Sequence, residues 1–124
     1  MKIIETKKAP AAIGPYSQAI VANGLVYTSG QIPIDPGSGI IEAVSIEAQT
    51  EQVIKNLAAV LEAAGSSLER VVKTTCFLKN INDFAAFNGI YEQYFTGKPA
   101  RSCVEVAALP KGALAEIEVI AEVG

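Results

Sequence analysis

The C-terminal part of the chain reads Pro99-Ala-Arg-Ser-Cys-Val-Glu-Val106 and, after a loop, Ala115-Glu-Ile-Glu-Val-Ile-Ala-Glu-Val123. In the second stretch, small or apolar residues occupy every second position and glutamates occupy most of the others. This period is typical of a strand with one face on a core. The first stretch predicts a strand over 101–106, in which Arg101, Cys103 and Glu105 share one face. The sequence therefore predicts a sheet with a polar site on its last two strands.

Other segments upstream also have the character of strands. The dipeptide Asn23-Gly24 separates the apolar runs 16–21 and 25–29, and both of its residues tolerate a positive φ, which indicates a hairpin. Residues 71–79 are rich in β-branched side chains, and residues 2–5 form a further short candidate. These segments extend the predicted sheet.

Two segments have the spacing of helices. Ser45 is the expected N-cap of the first, whose apolar residues recur at helical spacing until Gly65 ends it. Asn82 is the expected N-cap of the second, which ends before Gly97. Its aromatic residues fall on one side: Phe84, Phe87, Tyr91, Tyr94 and Phe95.

The order of strands, helix, strand, helix and strands predicts an α+β fold, in which two helices cover one face of a mixed sheet. Two helices leave the opposite face uncovered. Because apolar residues remain for that face, the sequence favours an oligomer.

The composition limits the classes of function. The chain has 124 residues, of which 50% are hydrophobic and 19% charged, so we expect one folded domain over residues 1–124. The net charge of −3 and the scattered basic residues disfavour nucleic acid as a partner. No apolar run is long enough for a membrane helix and no signal peptide is visible, so a cytoplasmic location is expected.

The inventory of side chains narrows the chemistry further. The chain has no histidine and two cysteines, Cys76 and Cys103, so we expect no zinc site. The glycine-containing segments match neither a P-loop nor a dinucleotide fingerprint. We therefore expect neither a metal nor a cofactor.

Arg101 is the first candidate for a binding residue. Its planar fork of donors matches a carboxylate bidentately, which suits the binding of a small carboxylic acid. Alternatively, Arg101 forms a structural ion pair with one of three glutamates, because charged strand faces are common. Those glutamates are Glu105, Glu116 and Glu118. Hairpin pairing of the last two strands would bring Glu116 near Arg101, whereas a bulge or register shift would separate them.

Glu116 and Cys103 each have two interpretations. Glu116 can act as a general base or position a water, or it can be a solvent-facing strand residue like Glu118 and Glu122. Cys103 as a nucleophile needs a base or a lowered pKa, and the usual histidine partner is missing. A small pocket-wall residue is the simpler interpretation of Cys103.

Three further positions are weaker candidates. Tyr16 and Ser29-Gly30 lie where loops meet strands, and such loops often build sites. Their alternative interpretation is as turn residues. Asn88 lies within a predicted helix, where asparagine has mediocre propensity, and it can reach either a backbone group or a ligand.

Segments spread over nearly the whole chain match the motifs of a known family. They are Ala9-Pro-Ala-Ala-Ile-Gly-Pro-Tyr-Ser-Gln18, Thr28-Ser-Gly-Gln-Ile-Pro33, Val72-Lys-Thr-Thr75, Asn88 with Tyr91, Pro99 to Val106, and Leu109-Pro-Lys111 leading to Glu116-Ile-Glu118. Together and in this order they resemble the RidA/YjgF family of enamine/imine deaminases. The connection 96–98 is shorter than in some relatives, and it lies just before the Pro99 motif.

The resemblance implies a fold and an assembly. The family fold is similar to that of the smaller chorismate mutases, with a mixed sheet of six strands and two helices on one face. Three subunits join their sheets into a central β-barrel. The clefts of the family lie between adjacent subunits of this homotrimer.

The resemblance also implies an activity. Family members hydrolyse 2-iminobutanoate and 2-iminopropanoate, which pyridoxal-phosphate-dependent threonine and serine dehydratases release, to 2-oxo acids and ammonia. Carried onto this chain, Arg101 clamps the substrate carboxylate, the main chain at Cys103 helps to hold it, and Glu116 handles the attacking water. The remaining cleft positions are Tyr16, Ser29, Gly30 and Asn88. A regulatory module that binds small carboxylates stays open as an alternative, and an RNA-cleaving translation inhibitor is disfavoured by the missing histidine.

Overall fold

A computed structural model describes residues 1–124 as a six-stranded sheet with two long helices. The strands are β1 (Lys2–Ile4), β2 (Ala19–Ala22), β3 (Leu25–Thr28), β4 (Val71–Leu78), β5 (Ala100–Glu105) and β6 (Ala115–Glu122), and the helices are α1 (Ile46–Ala63) and α2 (Phe84–Tyr94). The strand order is β1-β2-β3-β6-β4-β5, and the only parallel pair is β4 with β5. These features confirm the predicted α+β fold with a mixed sheet.

The last two strands do not form the hairpin whose pairing would bring Glu116 near Arg101. Strand β6 inserts between β3 and β4, while β5 forms the edge of the sheet beside β4. In this register Thr74 of β4 faces Arg101, and Phe77 of β4 faces Glu116. The connection 106–114 is longer than the 2–5 residues that typically close a hairpin, so the chain crosses over β4.

The local turn signals and the first cap are confirmed. Asn23 and Gly24 both have a positive φ, of 53° and 77°, in the turn between β2 and β3. The Ser45 hydroxyl accepts a hydrogen bond of 3.1 Å from the N–H of Ala48 at the start of α1. Gly65, with a φ of 79°, ends the helix in the left-handed conformation that glycine adopts without steric cost.

The predicted cap of the second helix is wrong, because Asn82 lies inside a short 3₁₀ turn and the residue before α2 is Asp83. A 3₁₀ turn, Ile81–Asp83, precedes α2, and the side chain of Asn80 accepts from the N–H of Asn82 at 2.9 Å. The 3₁₀ turn therefore takes its cap from Asn80, and α2 begins at Phe84 without a side-chain cap.

The helices and the core lie on one face of the sheet. The apolar face of α1 is fully buried and packs with the alternate residues of β6. The opposite face of the sheet carries an apolar row across four strands, which we call the open-face row: Ile3, Ile20, Tyr27 and Ile120. Ile3 is 62% exposed and Tyr27 is 43% exposed. Neither helix combines the length and the apolar character needed to cross a membrane.

Candidate active site

Arg101 lies against helix α2 on the helical face of the sheet. Its guanidinium carbon lies 4.7 Å from the ring centre of Tyr91 and 5.3 Å from that of Phe84. One of its terminal nitrogens donates a hydrogen bond of 2.7 Å to the side-chain oxygen of Asn88. Aromatic faces attract a cation without neutralising it, so the helix holds the guanidinium and leaves its charge in place.

The alternative of a structural ion pair is wrong for Arg101. The carboxylate of Glu105 accepts instead from the N–H of Ile81 at 2.9 Å. Glu116 and Glu118 point to the opposite face of the sheet. Most of the five N–H donors of the guanidinium are therefore free for a ligand. They border a shallow depression of about 820 Å³ beside the connection that carries Lys98.

Glu116 lies in a different cleft. This cleft has a volume of about 660 Å³ and is formed by the loop 10–18, the end of β3 with its following loop, and the start of β6. It gathers four of the predicted site residues: Tyr16, Ser29, Gly30 and Glu116. The structure therefore brings these four residues together in one cleft, away from Arg101 and Asn88.

The carboxylate of Glu116 packs directly against Gly30. A methyl group built at Gly30 would overlap with the Oε2 atom of Glu116. The next residue, Gln31, exchanges backbone hydrogen bonds of 2.9 and 3.2 Å with Ile117, which fixes the loop against β6. Close approach of the carboxylate to the backbone thus requires glycine at position 30.

The environment of Glu116 raises its pKa. Burial is the larger cause, and the nearby negative charge of Glu118 adds to it. The alternation of residues along β6 gives no reason to prefer Glu116 to the other glutamates of the strand. Their exposure to solvent and their neighbours differ. Glu122 is exposed, while Glu116 is partly buried against Gly30.

Three buried amide side chains hold the loops around the Glu116 cleft, and sequence reasoning missed them. Gln18, Gln49 and Asn56 are 5% exposed or less. Two of them, Gln49 and Asn56, could have been found from the sequence, because each places an amide at a core-facing position of α1. Their hydrogen bonds are Gln18 to the carbonyl of Pro10 at 2.8 Å, Asn56 to the carbonyls of Ile32 at 3.1 Å and Ile34 at 2.9 Å, and Gln49 to the carbonyl of Ala43 at 3.0 Å and from the N–H of Leu114 at 2.8 Å.

Cys103 lies beside Cys76 in the β4–β5 ladder, on the helical face. Burial raises the pKa of both thiols, that of Cys76 to about 12, and the positive charge of Arg101 offsets this only in part. Neither thiol is therefore activated as a nucleophile. Elsewhere in the chain, no three residues among His, Cys, Asp and Glu are grouped to hold a metal ion.

The candidate site residues of one chain thus form two separate groups, which we call half-sites. Arg101 and Asn88 form the first on the helical face of the sheet. The Glu116 cleft, with Tyr16 and Ser29, forms the second. A cationic fork can bind a carboxylate, and a partly buried carboxylate can hold a water or move a proton.

The chain is similar to known proteins in both sequence and structure. The family model described as Endoribonuclease L-PSP matches residues 6–123. The chain is 61% identical over 124 residues to a Lactococcus lactis protein named as a regulator, AldR, covering 99% of this chain and 98% of that one. It is 52% identical over 124 residues to the 2-iminobutanoate/2-iminopropanoate deaminase of Salmonella typhimurium, covering 97% and 96%. A crystal structure of E. coli TdcF with bound serine superposes with a TM-score of 0.95 at 44% identity, with full coverage of both chains.

The chain belongs to the Endoribonuclease L-PSP family. Its identity to the deaminase confirms the RidA/YjgF membership that the sequence motifs indicated.

Proposed function

We propose that this protein hydrolyses 2-imino acids, such as 2-iminobutanoate and 2-iminopropanoate, to 2-oxo acids and ammonia. The observation that carries the proposal is the guanidinium of Arg101, which Asn88 and two aromatic rings hold without a carboxylate partner. A free, oriented cation of this kind suits the carboxylate of a small acid. The deaminase name of the Salmonella relative and the serine bound to E. coli TdcF support a small amino-acid-like substrate.

The two half-sites join in our proposal between subunits of a homotrimer. Arg101 and Glu116 lie on opposite faces of one sheet, so a second chain must supply the missing half. The open-face row supports this assembly, because exposed apolar rows of this kind mark protein interfaces. In the trimer the sheets of three 124-residue domains surround a central barrel.

The proposed mechanism needs orientation more than chemical force, since small imines already hydrolyse in water. Arg101 holds the substrate carboxylate with help from the backbone at Cys103, while Tyr16, Ser29 and Gly30 line the opposite wall. Glu116 of the adjacent subunit takes a proton from the water that attacks C2 of the iminium. Glu116 then returns that proton to the amino group of the carbinolamine, the C–N bond breaks, and the departing ammonia takes the hydroxyl proton as ammonium, so that the 2-oxo acid remains. No metal or cofactor takes part in this proposal.

A coupled assay tests the function. A pyridoxal-phosphate-dependent threonine dehydratase supplies 2-iminobutanoate in the cuvette, and the protein is expected to accelerate its decay and the release of ammonia. Arg101→Ala should raise KM by more than about tenfold, because charge-assisted hydrogen bonds are lost. Arg70→Ala is the matched control, since Arg70 is the only other arginine. Equal turnover by wild type and Arg101→Ala would refute the assignment.

Binding without turnover is the second candidate function. The regulator name of the Lactococcus relative favours a module that binds small carboxylates through the same Arg101. Tight binding of 2-oxobutanoate without any acceleration of imine decay would select this alternative. RNA cleavage, suggested by the family description, fits poorly with a net charge of −3 and no histidine. We place the activity in the cytoplasm, next to the dehydratases that produce the imines.

A further inference from the structure

A closed ring of contacts connects strand β4, helix α2 and Arg101. Thr74 is the direct neighbour of Arg101 in the β4–β5 ladder. Its hydroxyl lies 2.8 Å from the phenol oxygen of Tyr91 in a buried hydrogen bond. The ring of Tyr91 in turn lies 4.7 Å from the guanidinium carbon of Arg101. Thr74 thus pairs with the backbone of Arg101 and, through the ring of Tyr91, also contacts its side chain.

The ring of Tyr91 is fixed on several sides. It stacks on Phe95 with ring centres 4.4 Å apart and contacts Phe87 at 5.8 Å. Its hydroxyl hydrogen bond to Thr74 adds a directional contact that stacking does not supply. The orientation of the ring therefore depends on both the aromatic stack and the hydroxyl pair.

Helix α2 is the main lateral support for the side chain of Arg101. Strand β5 is at the edge of the sheet and has a strand neighbour on one side only. Phe84, Asn88 and Tyr91 are spaced four and three residues apart, so they form one stripe of the helix. All three contact the guanidinium.

We propose that Thr74 and Tyr91 are positioning residues for Arg101. The hydroxyl pair fixes the tyrosine ring, and the ring fixes the plane of the guanidinium. This plane matters because a bidentate contact requires two N–H groups aimed together at one carboxylate. The inference rests on the proposed function, in which Arg101 binds the carboxylate of the substrate.

Three variants separate positioning from a structural role. Thr74→Val and Tyr91→Phe each leave one buried hydroxyl without its partner and are expected to lower the thermal stability. The double variant removes both hydroxyls, and its stability should recover, because replacing both partners of a buried hydrogen bond is nearly neutral. Tyr94→Phe is the control, since it removes a hydroxyl bond to Glu51 from the same helix without touching Arg101.

If Thr74 and Tyr91 position Arg101, the double variant should regain thermal stability but not its affinity for the substrate. In all three variants KM for 2-iminobutanoate should rise about three- to tenfold, because none retains the hydroxyl pair that orients the ring, while kcat changes little. The dissociation constant of 2-oxobutanoate should rise in parallel. A double variant with wild-type KM and wild-type stability would overturn the proposal, since the hydrogen bond would then serve folding alone.

A measurement without substrate distinguishes this proposal from the proposed function. The Nε–H signal of Arg101 in an NMR spectrum should be shifted by the ring current of Tyr91, and the shift should shrink in Thr74→Val. Unchanged signals in Thr74→Val and in the double variant would overturn the positioning role even if Arg101 binds substrate. Loss of the shift, together with full turnover by Arg101→Ala, would instead refute the function assigned to Arg101.

Discussion

Arg101 and Glu116 lie on opposite faces of one sheet and on strands that β4 separates. The two groups that the proposed hydrolysis requires thus cannot meet within a chain. Each chain offers one half-site of each kind, and in the proposed homotrimer adjacent chains would complete them head to tail. In the proposed mechanism, catalysis therefore requires assembly of the subunits. This requirement can be tested directly.

Mixing two inactive variants should restore activity. Arg101→Ala keeps the Glu116 cleft, and Glu116→Gln keeps the arginine. After subunit exchange in equal amounts, about a quarter of the clefts in random trimers should combine both intact halves. The measurement is the rate of imine decay before and after dissociation and reassembly of the mixture. A mixture that stays as inactive as its components would show that both groups act within one chain.

The pH dependence should report the raised pKa of Glu116. Because the base must be deprotonated, kcat/KM should fall as the pH drops through a pKa above the ordinary range of glutamate. Glu118→Gln removes the neighbouring negative charge, so the acidic limb should move to lower pH. Glu116→Gln should lose on the order of 10²- to 10⁴-fold in kcat. Equal losses in the two variants would mean that the role is not specific to Glu116.

The same pKa shift predicts a gain in stability for the inactive variant. A folded-state pKa above the unfolded one means that the contribution of Glu116 to stability is complete at low pH and is lost as the pH rises through the folded value. At a pH above this raised pKa, the ionised, partly buried carboxylate therefore opposes folding. Thermal unfolding of Glu116→Gln should occur at a higher temperature than that of wild type at this pH. The difference should shrink as the pH is lowered, and a constant difference would contradict the explanation.

A methyl group at position 30 should displace the carboxylate of Glu116. Gly30→Ala is therefore expected to reduce kcat by at least about tenfold, because a small misplacement of a catalytic group is costly. Gly89→Ala is the matched control, since nothing lies within 4 Å of a methyl group at this position of α2. It should keep full activity and gain up to about 1 kcal/mol of stability. Full activity of Gly30→Ala would show that the close approach is dispensable.

A carboxylate in place of the Asn88 amide should block the clamp. Asn88→Asp has nearly the same shape, and its charge would pair with Arg101 across the 2.7 Å hydrogen bond. We expect KM to rise by about tenfold or more while the protein remains folded. Asn80→Asp adds the same charge to the chain at a cap position where aspartate serves as well as asparagine. An unchanged KM in Asn88→Asp would place the substrate carboxylate elsewhere.

The sequence predicted local structure well, because turns, caps and strand faces are determined by residues that are close together in the chain. The Asn23-Gly24 turn, the Ser45 cap and the alternation of β6 each depend on neighbouring residues, and each is confirmed. The sequence predicted a cap at Asn82, whereas the structure has it at Asn80, because the 3₁₀ turn that follows Asn80 has no strong sequence signature.

The pairing of the strands was not predictable from the same signals. Alternation shows which face of a strand is buried, but it does not name the neighbouring strand. Strand β5 therefore looked like the hairpin partner of β6, whereas the parallel ladder with β4 depends on contacts distant in sequence. The motifs named Tyr16, Ser29, Gly30 and Glu116, which line one cleft, and only the topology showed that Arg101 lies on the other face of the sheet.

The glycine at position 30 also links two positions that are distant in the sequence. A side chain there would occupy the space that the carboxylate of Glu116 takes in this structure. We therefore expect that a relative which holds a carboxylate in the same place also has glycine in the loop that follows β3.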